Sequence, residues 1–340
     1  IVDNNDAPGS GSAAGLAEGS YQFGLIELRN GGHLSVLGAA SAITITSASG
    51  IQGDGGNSLI TQGTLNLPST LVVSGVTLDA YGLMNGGDTM TVGGTPGLAS
   101  GLVLRRSAPQ KDFVSLTVGI SGTVSAVPLN NGNTVYTDDQ PLELRAGSLT
   151  VAEGGAITAD GLGYGGQRGP APGMWAEGSN GAGASHGGAG GKTSSVTGTP
   201  GQAYGDVYHP TTLGSGAASP FEGGGGAIHL VITGTAQVDG IVSANGLAAT
   251  FLNTSGGGGA SGGSLWLEAA TLTGSGTFQA NGGAGGGSLY YGTGGGGGGG
   301  RITIDAATGS FAGLAVAFGS ANGDGSAGSG GSGTVYWTQA

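Results

Sequence analysis

One short phrase recurs through the last third of this chain, and its period limits what the chain can fold into. Gly-Gly-Ala-Ile-His-Leu-Val-Ile (Gly225 to Ile232) returns as Gly-Gly-Ser-Leu-Trp-Leu-Glu-Ala (Gly262 to Ala269) and as Gly-Gly-Arg-Ile-Thr-Ile (Gly299 to Ile304); a truncated fourth copy is Gly333-Thr-Val-Tyr-Trp337. Ile228, Leu265, Ile302 and Val335 open the copies at steps of 37, 37 and 33 residues. The full copies run to Ala-Asn-Gly (Ala244 to Gly246, Ala280 to Gly282, Ala321 to Gly323), the first two then passing into runs of glycine. A unit this small cannot bury its own apolar face, so it must use its neighbour's. Leu144 to Gly161 reads as an earlier copy, ending in Thr158-Ala-Asp160-Gly161.

Glycine accounts for 82 of 340 residues, but there is no Gly-X-Y period and there are only 11 prolines, which excludes collagen. Disorder is opposed by alternating apolar triplets: Leu34-Ser-Val36, Ile43-Thr-Ile45, Leu65-Asn-Leu67, Leu102-Val-Leu104, Leu116-Thr-Val118 and Leu142-Glu-Leu144. That alternation is the pattern of a half-buried strand. No window carries a helical apolar stripe free of Gly or Pro, so the expectation is all-β with short strands. A net charge of −12 repels phosphate backbones and anionic membranes, which argues against nucleic acid as a partner. No apolar stretch is long enough to insert into a membrane. With no cysteine there is neither a disulfide framework nor a thiolate metal site.

The chain divides into an N-terminal segment (1–20), a strand ladder (21–161), a long Gly/Pro/Tyr-rich excursion (162–222) and the glycine-flanked repeats (223–340). Asn30-Gly-Gly32, Asp54-Gly-Gly56, Asn85-Gly-Gly87 and Asn131-Gly132 mark turns that need positive φ. One copy, Ile228 to Asn245, has room for three strands of three or four residues with tight corners. The expected fold is therefore a parallel β-helix (β-solenoid), with Ile228, Leu230, Ile232, Val238 and Ile241 and their equivalents inside. Asn245, Asn281 and Asn322 then stack at one corner, by side-chain amide hydrogen bonds along the axis or as residues tolerant of a left-handed corner. Ordering Gly294 to Gly300 costs roughly 7 to 14 kcal/mol of backbone entropy. The run is either a mobile linker or an extended, three-residue-per-turn strand whose bare backbone hydrogen-bonds to others, packed on one side of the stack.

Several phrases carry a resemblance: Tyr21-Gln-Phe-Gly-Leu-Ile-Glu-Leu-Arg-Asn-Gly31, Leu149-Thr-Val-Ala-Glu-Gly-Gly-Ala-Ile-Thr-Ala-Asp-Gly-Leu-Gly-Tyr164, Ser185-His-Gly-Gly-Ala-Gly-Gly191, Ala203-Tyr-Gly-Asp-Val-Tyr-His-Pro-Thr-Thr-Leu-Gly-Ser-Gly216, Gly226-Ala-Ile-His-Leu230 and Gly262-Gly-Ser-Leu-Trp-Leu267. In this order the chain resembles glycine-rich modules of very large secreted or surface proteins of bacteria, often called adhesin-like. The resemblance implies an extracellular β-solenoid module and brings no catalytic residues.

Acidic residues are scattered rather than paired (Asp79, Asp88, Asp112, Asp160, Asp239, Asp305, Asp324), so catalysis is not expected and no catalytic or cofactor-binding residue is assigned. The four histidines (His33, His186, His209, His229) show no metal-ligand spacing; His229 reads as an outward strand residue, and His186 and His209 as loop braces. Calcium finds its best oxygen ligands in Asp3 and Asp6 of Asp3-Asn-Asn-Asp6 and in Asp324 of Asn322-Gly-Asp-Gly325, although neither completes a known loop pattern. The functional expectation is a non-catalytic extracellular structural protein. It forms a rigid surface or filament module, partnered by copies of itself or by the cell surface and extracellular matrix. The alternative is a carbohydrate- or surface-binding module using Trp175, Tyr204, Tyr208, Tyr290 and Tyr291. A hydroxyl face for ice or mineral ranks third, because Thr44, Thr46, Thr233, Thr235, Thr271 and Thr273 show no common phase in the sequence.

Overall fold

The computed structural model describes residues 1–3, 13–108, 110–130, 132, 135–175, 180–193, 199–249, 256–287, 292–321 and 327–339. Every regular element among them is a strand, and every pairing between strands is parallel. The local cause is the alternation noted above. In His33–Val36, Ala42–Ile45, Thr89–Val92 and Leu142–Val151, apolar residues turn inward while Ser, Thr and charged residues turn out. The turn signals act as expected: Asn30, Gly31, Gly55, Gly56, Gly86, Gly87 and Gly132 all have positive φ.

The expected parallel β-helix, or β-solenoid, built of coils with three short strands each, is corrected. Nineteen strands share one hydrogen-bonded parallel sheet, which rolls barrel-like around a single core, and four more form a second small sheet. In each glycine-flanked repeat the separate short strands give way to one long strand and one of three residues: Ala227–Val238 with Ile241–Ser243, Ser264–Gly274 with Thr277–Gln279, Arg301–Phe311 with Leu314–Val316. The reason is local. The strand runs straight through the Thr233-Gly234 dipeptide and absorbs it as a register shift between Ile232 and Thr235.

Ile228, Leu265, Ile302 and Val335 pair in register, as do Leu230, Leu267, Ile304 and Trp337. Their side chains point inward at equivalent places, and Ile228, Ile302 and Ile304 are wholly buried. Fully burying one such side chain contributes about 1.5–3 kcal/mol. Ile241, expected inside, is 43% exposed, and its neighbour Val242 fills the core instead.

Against the rolled sheet lies a second layer made almost wholly of glycine. Successive N–H groups of the run Gly294 to Gly300 point in three directions in strict rotation. Gly294, Gly297 and Gly300 donate to Gly286, Gly283 and Ala280; Gly295 and Gly298 to Gly181 and Ala184; Gly296 and Gly299 to Gly328 and Gly331. Its carbonyls accept from three further sides: Gly259 and Gly262 on Gly295 and Gly298, Gly191 and Gly188 on Gly296 and Gly299, Ser320 on Gly297. A rotation of three is that of the extended three-residue-per-turn helix. The run is thus the axis of a bundle, saturated with hydrogen bonds on every side.

Candidate functional site

Of the calcium candidates only Asp3 is among the described residues. Asp3 closes the short strand Val2–Asp3 opposite Arg29, while Asp6 and Asp324 lie outside the described residues. No three His, Asp or Glu side chains converge to hold a metal among the described residues.

The described corner asparagines follow the first of the two expectations, with side-chain amides hydrogen-bonding from repeat to repeat, mainly to the next backbone N–H. Asp160 Oδ1 accepts from the Asn245 N–H at 2.6 Å, Asn245 Oδ1 from the Asn281 N–H at 2.8 Å, and Asn281 Oδ1 from the Phe318 N–H at 2.8 Å. Side-chain oxygens therefore tie each repeat to the backbone of the next. Neither Asn245 nor Asn281 has positive φ, so a left-handed corner is not their role. Asn322 lies outside the described residues.

The excursion folds back as a cover over the outer face of the long strands. The Thr303 hydroxyl donates to the Val207 carbonyl at 2.7 Å, Tyr208 packs edge-on against Tyr336 at 4.8 Å, and His209 meets the Trp266 ring edge at 5.0 Å. Beneath it His229 stacks on Trp266, with ring centroids 3.8 Å apart and planes within 8°. His229 Nε2 is 3.3 Å from Glu268 and Nδ1 3.7 Å from Glu143. Burial against the indole holds the imidazole below its ordinary pKa even though both carboxylates favour its charged form. The cluster arises because Glu143, His229 and Trp266 occupy one position on three successive strands. Sequence reading missed it, since those strands are joined only through the glycine layer.

A second joint fixes the excursion to that layer. His186 is fully buried; Nδ1 lies 2.9 Å from the Gly262 carbonyl and so must donate, leaving Nε2 to accept from the Thr212 hydroxyl at 2.8 Å. Burial first, and Arg301 second, push its pKa down to about 3. Arg301, 7% exposed, donates from Nε to the Tyr204 carbonyl at 2.8 Å and from Nη1 to the Thr334 hydroxyl at 3.1 Å. The loop-brace reading of His186 fits this geometry.

Of the aromatic residues proposed for sugar stacking, the described Trp175, Tyr204 and Tyr208 do not share a platform. Tyr204 directs its hydroxyl inward to the Leu213 carbonyl and to Ser215. Tyr208 is exposed on the cover, Trp175 sits apart in a bridge to Gly181, and Tyr290 and Tyr291 lie outside the described residues.

The two ends of the roll are where apolar core is left incompletely covered. At the C-terminal end Val335 and Trp337 occupy the inward register of Ile302 and Ile304 yet are 44% and 37% exposed, with Phe311 and Ala315 half-buried beside them. At the other end Val2, Leu16, Tyr21 and Phe23 are half-buried against the same core. Among the described residues, the strands Thr334–Gln339 and Leu314–Val316 have a partner on one side only, as do Val2–Asp3, Ala13–Leu16 and Ser20–Phe23. No family model, curated protein or solved structure matches this chain.

Proposed function

We propose that this chain is a non-catalytic structural module of the cell exterior, a rigid block that self-associates end to end. The supporting observation is the pair of opposite edges just described. In an all-parallel sheet the outer edge of the last strand and the outer edge of the first carry complementary backbone donors and acceptors. Each end also has an apolar rim. Stacking the Val335 and Trp337 end of one copy on the Tyr21 and Phe23 end of the next continues both the ladder and the core. A contact of this kind is head-to-tail and does not close, so it propagates into a filament. The extracellular placement rests on the resemblance to surface modules and on a polar surface carrying few charges. The alternative, sugar binding, has less support because the aromatics are dispersed.

Sedimentation and electron microscopy of the parent and of the double variant Val335→Lys, Trp337→Lys test the proposal. The parent is expected to form filaments that lengthen with concentration, and the variant to stay single, because two lysines on the terminal edge block strand addition. A parent that remains monomeric at high concentration refutes it.

A further inference from the structure

Outside the covered strand face, a second face of the roll carries a two-dimensional array of hydroxyls. On the strand Thr89–Val92, Met90 and Val92 enter the core while Thr89 and Thr91 face out. Register carries this pair onto the neighbouring rungs: Thr89 opposes Ser115, Ser115 opposes Ser148, and farther along Thr235 opposes Thr271 and Thr271 opposes Thr308. Thr91 likewise opposes Thr117, then Thr150, Gln237, Thr273 and Ser310. The result is two adjacent columns with a repeated hydroxyl-x-hydroxyl motif, bounded by Val72 opposite Thr91, interrupted in the second column at Gln237 and in the first by the register shift between Ala146 and Leu149, where no pair joins Ser148 to Thr235. Rungs of a sheet stand about 4.8 Å apart, and alternate residues of a strand about 6.6 Å.

Two further observations give the array a definite character. Hydroxyls within the first column are mutually ordered: Ser148 Oγ donates to Ser115 Oγ at 3.0 Å, and Thr271 Oγ1 and Thr308 Oγ1 are 2.9 Å apart. Neither column contains a charged or an aromatic side chain. The backing is rigid, since Leu116, Val118, Leu149, Val151 and Leu272 alternate with the hydroxyls and are buried. Sugar rings are normally held on aromatic faces. An uncharged grid of ordered hydroxyls and threonine methyls, fixed in both directions by backbone spacing, instead fits a surface whose own donors and acceptors repeat on a lattice.

We infer that this face binds crystalline water, the two columns anchoring ordered waters in register with an ice surface. The inference is independent of the end-to-end assembly, because the face lies along the side of the roll. Ice-affinity partition and crystal-shape microscopy of the purified chain test it, with Thr117→Tyr and Thr271→Tyr in the array and Ser125→Tyr on another strand ladder as a control. Circular dichroism establishes that each variant is folded. The parent is expected to partition into ice and to facet growing crystals; each array variant should lose at least about tenfold of that activity, and the control should keep it. A parent excluded from ice overturns the inference, as does equal activity in parent and array variants. Retention on crystalline cellulose or chitin without any effect on ice overturns it in favour of a polysaccharide surface. Thr271 is only half-buried and lies near the end of the array, so its variant decides the matter even if the Thr117 variant fails to fold.

Discussion

The open turns of the strand ladder before residue 162 and the central run of the glycine layer after it use the same amino acid for opposite physical reasons. At open turns of the ladder glycine supplies conformation, although Gly63 and Gly82 there are sites of close approach. Gly56 has φ of +71°, and a Cβ built on it meets nothing within 4 Å. In the layer glycine supplies space. None of Gly294 to Gly300 has positive φ, so each could in principle be alanine, yet a Cβ on Gly297 would lie 1.9 Å from the Ala260 carbonyl oxygen and one on Gly295 2.0 Å from that of Gly191. The first kind of glycine is replaceable at the price of local strain. The second is not replaceable without separating two backbones.

Four measurements break or sharpen that contrast. Replacing Gly295, Gly297 and Gly299 together by Ala should have the largest effect, with each methyl overpacking a backbone contact and costing about 1–3 kcal/mol. Thermal melting should show the layer lost; a triple variant that melts like the parent would mean the tracts are spacers. Leu267→Asp comes next, because it puts an unpaired charge among Leu230, Ile304 and Phe278 and should cost several kcal/mol. If denaturant titration finds that variant as stable as the parent, the second half depends on its glycine layer alone and not on an apolar core.

The third is a pH profile. His186 is held neutral in the fold down to about pH 3 but titrates near 6.5 when unfolded. The unfolded chain therefore binds the extra proton first, and the stability from this site is complete above about pH 6.5 and declines as pH falls. The slope approaches about 1.4 kcal/mol per pH unit below pH 6. His186→Asn should flatten that part of the profile, whatever its effect at neutral pH. The smallest effect is expected for Gly56→Ala, about 1 kcal/mol from a left-handed backbone with free space around it. A loss as large as that at Gly297 would erase the distinction between the two kinds of glycine.

Features with a local period were legible in the sequence. Leu34 and Val36, Ile43 and Ile45, and Leu116 and Val118 are all buried as the alternating triplets required, because strand alternation needs only neighbours in the chain. Features that depend on which strand lies beside which were not. The hydroxyl columns escaped notice because their rungs are unevenly spaced in sequence: Ser115 and Ser148 are 33 residues apart, Thr271 and Thr308 are 37, and on the adjoining ladder Thr158 and Ser243 are 85. The phase of threonine is therefore invisible until the excursion is folded out of the count. The stack of His229 on Trp266 and the cover from Tyr204 to Thr212 were hidden for the same reason. The run of the strand through Thr233-Gly234 was illegible for a different reason: a Gly in a strand can mark a turn or a bulge, and only the pairing register decides between them.

The saturated axis at Gly294 to Gly300 also has a consequence for biosynthesis. Gly295 needs the carbonyl of Gly181, synthesised long before it, while Gly296 needs that of Gly328, synthesised after it. As the chain leaves the ribosome, the amides of Gly188 and Gly191 stay bound to water until the central run arrives, and the carbonyls of Ala189 and Lys192 until Gly331 and Gly328 follow. The N-terminal strands pair with near neighbours and can settle meanwhile. A product truncated before Gly328 would thus display a folded ladder carrying an unlocked glycine layer, open to proteases. Quality control could read completeness from that layer alone.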